Sequence, residues 1–194
     1  MKLIKRNNED YYKFTLKVLD PPGEYNDHKL GIMNSVNFLL DLLEKLNKNI
    51  GNRVLDIGTR DGFTLDYLKE FGFDTIGIDI GIEHVRYARS RNRNMILGNI
   101  CNIPFKDNTF DLTFSRHTIE HCEDIKTAIK EMHRVTIIGG IICCVFPLQN
   151  RLINKHYYMI PKVDSILNLE LPGKLLWAGT DNKKQDEGMI VLKK

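Results

Sequence analysis

Between Arg53 and Pro147 short apolar runs alternate with stretches of helical periodicity, and this alternation constrains the chain more than any other feature. RVLDI (53–57), DTIGIDI (74–80), the short run 94–97, TFDLTFS (109–115) and IIGGIICCVFP (137–147) read as strands, the last after a glycine turn. The stretches 63–71, IEHVRYARSRN (82–92) and 124–135 read as helices, with Gly72 as a stop behind the first. Strands separated by helices at this spacing predict a parallel sheet with helices on both faces. Ahead of them, from 27 to 48, Leu30, Met33, Phe38, Leu39, Leu42, Leu43 and Leu46 predict an amphipathic helix. The tail breaks the pattern. KLLWAGT (174–180) and GMIVLKK (188–194) are strand-like, with polar DNKKQDE and no helix between them, which predicts an antiparallel hairpin closing the sheet edge.

A length of 194 residues suits one ordinary domain with a real core, and 42% hydrophobic with 27% charged residues is a globular composition. A net charge of +3 names no partner. The four cysteines lack disulfide or metal spacing, since Cys143 and Cys144 are adjacent and Cys101 and Cys122 stand alone. Reduced thiols and a cytoplasmic location are expected. MKLIKRNNEDYY has no apolar signal-peptide core. The longest apolar stretch, 137–148, contains two glycines and is too short to span a bilayer, so no membrane association is expected.

In parallel sheets of this kind ligands sit beyond the carboxyl ends of the strands. After the first strand comes D-I-G-T-R-D-G, where Gly58 permits a tight turn and Gly62 opens the next helix. Backbone amides there favour a carboxylate-bearing or anionic ligand. Asp79 ends the second strand 21 residues beyond Gly58, where a carboxylate accepts two hydrogen bonds from a ribose. Asn99 and Ile100 follow the third strand as a polar group and an apolar wall, and Ser115, Arg116 and His117 follow the fourth. Each has a bland alternative, such as Asp79 serving only as a helix N-cap. Their coincidence at four consecutive strand ends points to a nucleoside-containing ligand.

The stretches VLDIGTRDG, TIGIDI, GNICNIPFKDNTFDLTFSRHTIEHCED and KEMHRVTIIGGIICCVFP carry a resemblance. Over residues 53–147 the chain resembles the class I S-adenosylmethionine-dependent methyltransferases of the type 11, UbiE-like group. The resemblance implies a Rossmann-like α/β fold, doubly wound and mostly parallel, and S-adenosyl-L-methionine as cofactor. It implies that Asp56 and the loop Gly58, Thr59, Arg60 to Gly62 hold the methionine end. Asp79 would bind the ribose, Ile80 would lie against the adenine, and Asn99 and Ile100 would contact its edge and face. Ser115, Arg116 and His117 would line the site near the sulfonium. The expected plan is one domain over 1–194. Residues 1–26 form a lid or packing segment, 27–147 the cofactor-binding core, and 150–194 the C-terminal segment and hairpin, with a short helix plus loop over 150–173. Arg60 stands where the family commonly has glycine, Asn99 where it has aspartate, and Thr136-Ile137-Ile138 where it has Leu-Lys-Pro. Arg60 is tolerated in this reading if its side chain points to solvent.

His117 and His121 are the expected catalytic residues, one of them a general base with Glu120 orienting it, and His121 is the first choice. HTIEH also matches a zinc-peptidase pattern in which both histidines share a helix face, but it follows a strand directly and no third ligand is marked, so no metal is expected. DPPGEY (20–25) reads as a plain turn. Arg86, Arg89, Arg91 and Arg93 read first as a solvated helix face and second as an RNA-facing patch. The expected acceptor is a small organic molecule, with RNA second. Two rivals remain: a nucleotide-dependent oxidoreductase, whose G-x-G-x-x-G spacing the turn does not fit, and a non-catalytic module that keeps the cofactor.

Overall fold

A β-strand whose alternate residues are both apolar needs cover on both faces, and β6 is such a strand. In the computed structural model, which describes residues 4–5, 26–149, 158–180 and 186–194, Ile142, Cys144 and Phe146 of β6 (Thr136–Pro147) pack into one core and Ile141, Cys143 and Val145 into another. The first core is closed by Ile125, Ala128, Ile129 and Met132 of α4 (Ile125–Val135), the second by Val36, Leu39 and Leu43 of α1 (Asn26–Lys45) and by Tyr67 and Leu68 of α2 (Phe63–Lys69). The period-2 pattern of the strands therefore sets a three-layer arrangement, helices on either side of one sheet.

That sheet has seven strands in the order β4-β3-β2-β5-β6-β9-β8. The strands are β2 (Arg53–Ile57), β3 (Asp74–Asp79), β4 (Met95–Leu97), β5 (Phe110–Arg116), β6, β8 (Lys174–Thr180) and β9 (Glu187–Lys193). β4, β3, β2, β5 and β6 are parallel, and β9 is antiparallel to both β6 and β8. The expected doubly wound sheet and C-terminal hairpin are both present. α3 (Ile82–Ser90) lies between β3 and β4, and its Val85 and Ala88 pack on Leu65 and Met95. α4 starts cleanly because Asp124 accepts the N–H groups of Lys126 and Thr127 at 2.8 and 3.3 Å, satisfying two orphan donors of its first turn.

Two details differ from expectation. The glycines of IIGG do not form a turn ahead of β6. The strand begins at Thr136, straight out of α4, and the pairing with β5 jumps from Phe110↔Thr136 to Leu112↔Ile141. Residues 137–140 bulge outward opposite Asp111, and Gly140 is needed there because a Cβ would lie 2.8 Å from the Asp111 carbonyl. The second detail is an additional two-stranded ribbon, β1 (Ile4–Lys5) with β7 (Tyr158–Met159), which no periodicity marked. The short helix expected within 150–173 is α5 (Asp164–Leu167). The DPPGEY turn and all of the 1–26 segment except Ile4, Lys5 and Asn26 lie outside the described residues, as do 181–185 of the DNKKQDE stretch. Among the described residues no helix is long and apolar enough to cross a membrane.

Phe114, in the middle of β5 and 1% exposed, tests the core. Phe114→Ala is expected to cost about 3–5 kcal/mol of unfolding free energy, the range for deleting a buried ring. Denaturant unfolding measures it, and a loss under 1 kcal/mol would mean that the strand is not buried on both faces.

Candidate functional site

β2 ends at Ile57, and the chain then passes through left-handed residues at alternate positions: Gly58 at φ +73°, Arg60 at +55° and Gly62 at +82°. Glycine accepts this freely, whereas a residue with a side chain pays about 1–2 kcal/mol. Arg60 is kept there by its backbone. Its N–H donates to Oδ2 of Asp79 at 2.9 Å, and the neighbouring N–H of Gly58 donates to the Ile78 carbonyl at 2.8 Å. The Arg60 side chain does not point to solvent as expected: its Nε and Nη2 atoms are shielded from water. The turn is no exposed apex, because Thr59 and Asp61 on either side are themselves buried, and a side chain between them is drawn into protein.

Asp79 is the hub of this end of the sheet. Besides Arg60, it accepts the N–H of Gly81 at 2.8 Å through Oδ1, which also lies 3.3 Å from Nδ1 of His84. The N-cap of α3 is Gly81, with no side-chain cap, so Asp79 is not the N-cap residue. An ionised carboxylate has about four acceptor positions. These contacts leave capacity for a ligand hydroxyl.

Asp56, at the end of β2, is 2% exposed, and its Oδ2 accepts no hydrogen bond among the described residues. Burial raises its carboxyl from 3.8 to about 7, with the charge of Asp79 adding and the hydroxyls of Thr59 and Thr64 opposing. The folded chain thus holds this proton more tightly than the unfolded chain between 3.8 and about 7. The contribution to stability is full at low pH and is lost as pH rises through about 7. A buried carboxylate oxygen without a donor is costly unless a ligand supplies one.

Around this turn the other strand ends gather. Ile80 is 36% exposed, an open apolar surface beside Asp79. The Gly98 N–H donates to the Asp79 carbonyl at 3.0 Å, bringing Asn99 alongside. Oδ1 of Asn99 accepts the Cys101 N–H at 2.8 Å, which leaves its NH₂ to donate. Ile100 is buried in the core among Ile78, Ile103 and Ile119, so the open apolar wall here is Ile80. Ser115 is fully buried between Ile57 of β2 and Cys144 of β6, and its hydroxyl makes no hydrogen bond among the described residues.

Beyond β5, Arg116 donates from Nε to the Ser35 hydroxyl at 3.2 Å and from Nη2 to Glu187. His117 is left-handed at φ +51°, and its N–H continues the sheet by donating to the Val145 carbonyl at 2.9 Å. Thr118 donates to the carbonyls of Ile57 and Arg116, both at 3.1 Å. Then comes one 3₁₀ turn, Ile119–His121. With three residues per turn and a strand end before it, positions 117 and 121 do not share a helix face, which corrects the geometry expected for HTIEH. Glu120 is 1% exposed, its two carboxylate oxygens accept no hydrogen bond among the described residues, and Oε1 lies 3.7 Å from Nε2 of His121. Among the described residues no group of three or more His, Cys, Asp or Glu side chains is arranged to hold a metal ion.

Comparison with known proteins decides what such a site belongs to. Residues 55–144 match the family model described as a methyltransferase domain. The chain is 32% identical over 124 residues to a demethylmenaquinone methyltransferase of Geobacillus sp. (strain WCH70), covering 58% of this chain and 53% of that protein. It is 32% identical over 91 residues to a malonyl-[acyl-carrier protein] O-methyltransferase of Hamiltonella defensa subsp. Acyrthosiphon pisum (strain 5AT), covering 46% of this chain and 35% of that protein. The chain thus spans about half, or less, of the length of these curated relatives. The PH0226 protein of Pyrococcus horikoshii OT3 shares the fold over 96% of this chain and 99% of its own, at TM-score 0.70 and 18% identity.

In the matched region the three stretches marked in the sequence, 56–62, 79–80 and 99–100, meet at one residue, Asp79, the first at its carboxylate and the last beside its main-chain carbonyl. Two residues that spacing did not mark complete the picture. Thr118 fills the space over Gly58, where a Cβ would lie 2.1 Å from its hydroxyl. Glu187 reaches Arg116 and His117 from the far end of the chain. Thr118 sat inside the quoted HTIEH motif and was readable. Glu187 carried no local signal. The arginine run is not one face: Arg93 is buried against Asp66 and the Asp61 carbonyl at 2.7 Å each, and Arg89 donates to the Met95 carbonyl at 2.7 Å.

Gly58→Ala is expected to lower stability by more than the 1–2 kcal/mol cost of left-handed backbone, because the new methyl meets Thr118. Adding Thr118→Ala should recover part of the loss. A double-mutant cycle with no coupling between the two positions would show that they do not touch.

Proposed function

We propose that this chain catalyses methyl transfer from S-adenosyl-L-methionine to a small organic acceptor. The observation that carries the reading is Asp56, a buried carboxyl with an orphan oxygen beside a left-handed turn. It suits a ligand that brings a cationic amino group into the site. The Gly58 to Gly62 turn offers backbone to the same amino-acid end, Asp79 retains acceptor capacity for ribose hydroxyls, and Ile80 and the Asn99 amide suit the face and edge of an adenine. Ile100 backs this wall from the core, and Ser115 underlies the region beneath the reacting end.

The bound cofactor supplies an electrophilic methyl: the acceptor atom bonds to the methyl carbon while the electron pair of the broken carbon–sulfur bond stays on sulfur. The protein's part is to bind, orient and exclude water. An acceptor that must lose a proton needs a base, and His117 and His121 are within the segment that follows β5. The two relatives are named for demethylmenaquinone and for malonyl-[acyl-carrier protein], neither of them RNA. The burial of Arg93 against Asp66 and the Asp61 carbonyl weakens the RNA alternative further.

Calorimetric titration tests the reading. S-adenosylmethionine is expected to bind one to one and NAD not at all; the reverse would replace a methyltransferase with an oxidoreductase. The pH dependence follows from Asp56. Below about 7 its carboxyl is mostly protonated, and a cationic ligand favours the ionised form. Affinity should therefore rise between pH 5.5 and 7 by up to about tenfold per unit, and Asp56→Asn should flatten that slope. An unchanged slope in the variant would remove Asp56 from the amino-group site.

A further inference from the structure

β9 runs antiparallel to the rest of the sheet. Its first residue, Glu187, therefore pairs with Pro147, the last residue of β6, at the carboxyl end where the ligand site lies. There its Oε1 accepts from Arg116 and stands 2.7 Å from Nε2 of His117. The approach is off the line of a hydrogen bond but within ion-pair range. A bare nitrogen lone pair held that close to a carboxylate oxygen is repelled, so Nε2 carries the proton. In the neutral ring the free lone pair then belongs to Nδ1. Nε2 is shielded from water while the ring is 33% exposed, so the exposure falls on the rest of the ring. The backbone is fixed as firmly as the ring: φ is +51°, and the N–H is bound to Val145. A left-handed histidine between two held ends is a pre-set side chain.

We propose that Glu187 is the positioning residue of this site, holding His117 as the Nε2–H tautomer so that Nδ1 takes the proton released by the acceptor. The proposal rests on the reading of methyl transfer to an acceptor that bears a proton, and it moves the first choice of base from His121 to His117. His121 has a weaker partnership of this kind, at 3.7 Å from Glu120. Arg116 shares Glu187, donating to the same carboxylate oxygen. The Ser35 hydroxyl on α1 holds the other side of that guanidinium. The hairpin thus contributes a residue to the reacting end in addition to closing the sheet.

The test is ¹⁵N correlation spectroscopy of the histidine ring nitrogens in the ligand-free protein near pH 8, with His117 assigned by His117→Gln. The wild type should show His117 as the Nε2–H tautomer. In Glu187→Ala its two nitrogen shifts should move towards one another as the tautomers mix, and Glu187→Asp should restore part of the difference. A merely structural role as counter-ion to Arg116 would leave the tautomer unchanged. An Nδ1–H tautomer in the wild type, or identical His117 shifts in wild type and Glu187→Ala, overturns the proposal. Should Glu187→Ala not fold, Glu187→Gln takes its place under the same criterion, and identical His117 shifts in wild type and Glu187→Gln overturn the proposal. S-adenosylmethionine titration of the same samples keeps the two readings apart. Loss of binding in the wild type defeats the methyltransferase reading, whereas the tautomer judges Glu187.

Discussion

One carboxylate holds the ligand-facing end of this sheet together. Asp79 is the last residue of β3, yet its two oxygens take backbone donors from the loop after β2 and from its own loop ahead of α3. Without that tie the left-handed Arg60 would have no compensation for its conformation. The loop after β4 also attaches here, through the Asp79 carbonyl and Gly98. Three loops that are distant in sequence are thus referred to one residue. Their relative placement is set by short hydrogen bonds in a buried environment, where such bonds are strong and their loss is costly.

The polar groups of the buried interior are concentrated at this same end. Asp56, Ser115 and Glu120 each bury oxygen atoms that find no hydrogen-bond partner among the described residues, and each lies at or just beyond the carboxyl end of a parallel strand. Such groups cost about 1–3 kcal/mol each when left unsatisfied. Elsewhere among the described residues the strand interiors are filled mainly by Val, Ile, Leu, Phe and Cys, and the buried hydroxyls of Thr75, Thr113 and Thr136 are hydrogen-bonded. A fold that confines its unsatisfied groups to one end is organised around a ligand at that end. The antiparallel β9 belongs to the same logic, because only a strand of reversed direction starts where the parallel strands stop.

The period-2 runs and the helices between them were readable because every one of them buries a face, and burial writes periodicity into the sequence. The hairpin was readable because a helix was missing between two apolar runs. The pairing of Ile4–Lys5 with Tyr158–Met159 was not, since two-residue strands carry no period. The bulge at 137–140 looked like a turn because glycines serve both. At the site, the glycines and Asp79 could be found from spacing along the chain, and Asp56 from the family resemblance. The Glu187 contact could not, because it joins residues 71 positions apart in the case of Arg116, and a single charged residue at a strand start is unremarkable in sequence. The half-buried Arg60, whose Nε and Nη2 are shielded from water, was misjudged for a related reason: exposure of a turn depends on what packs over it, which sequence spacing does not state.

The central claim is that the Asp79 tie builds the cofactor site, and the affinity of Asp79→Ala for S-adenosylmethionine tests it most directly. Calorimetry on the folded variant should show binding weaker by about 1.5–3 kcal/mol, the worth of hydrogen bonds to a charged group. Wild-type affinity in that variant would contradict the account, because it would mean that neither the ligand nor the loop that receives it depends on this carboxylate.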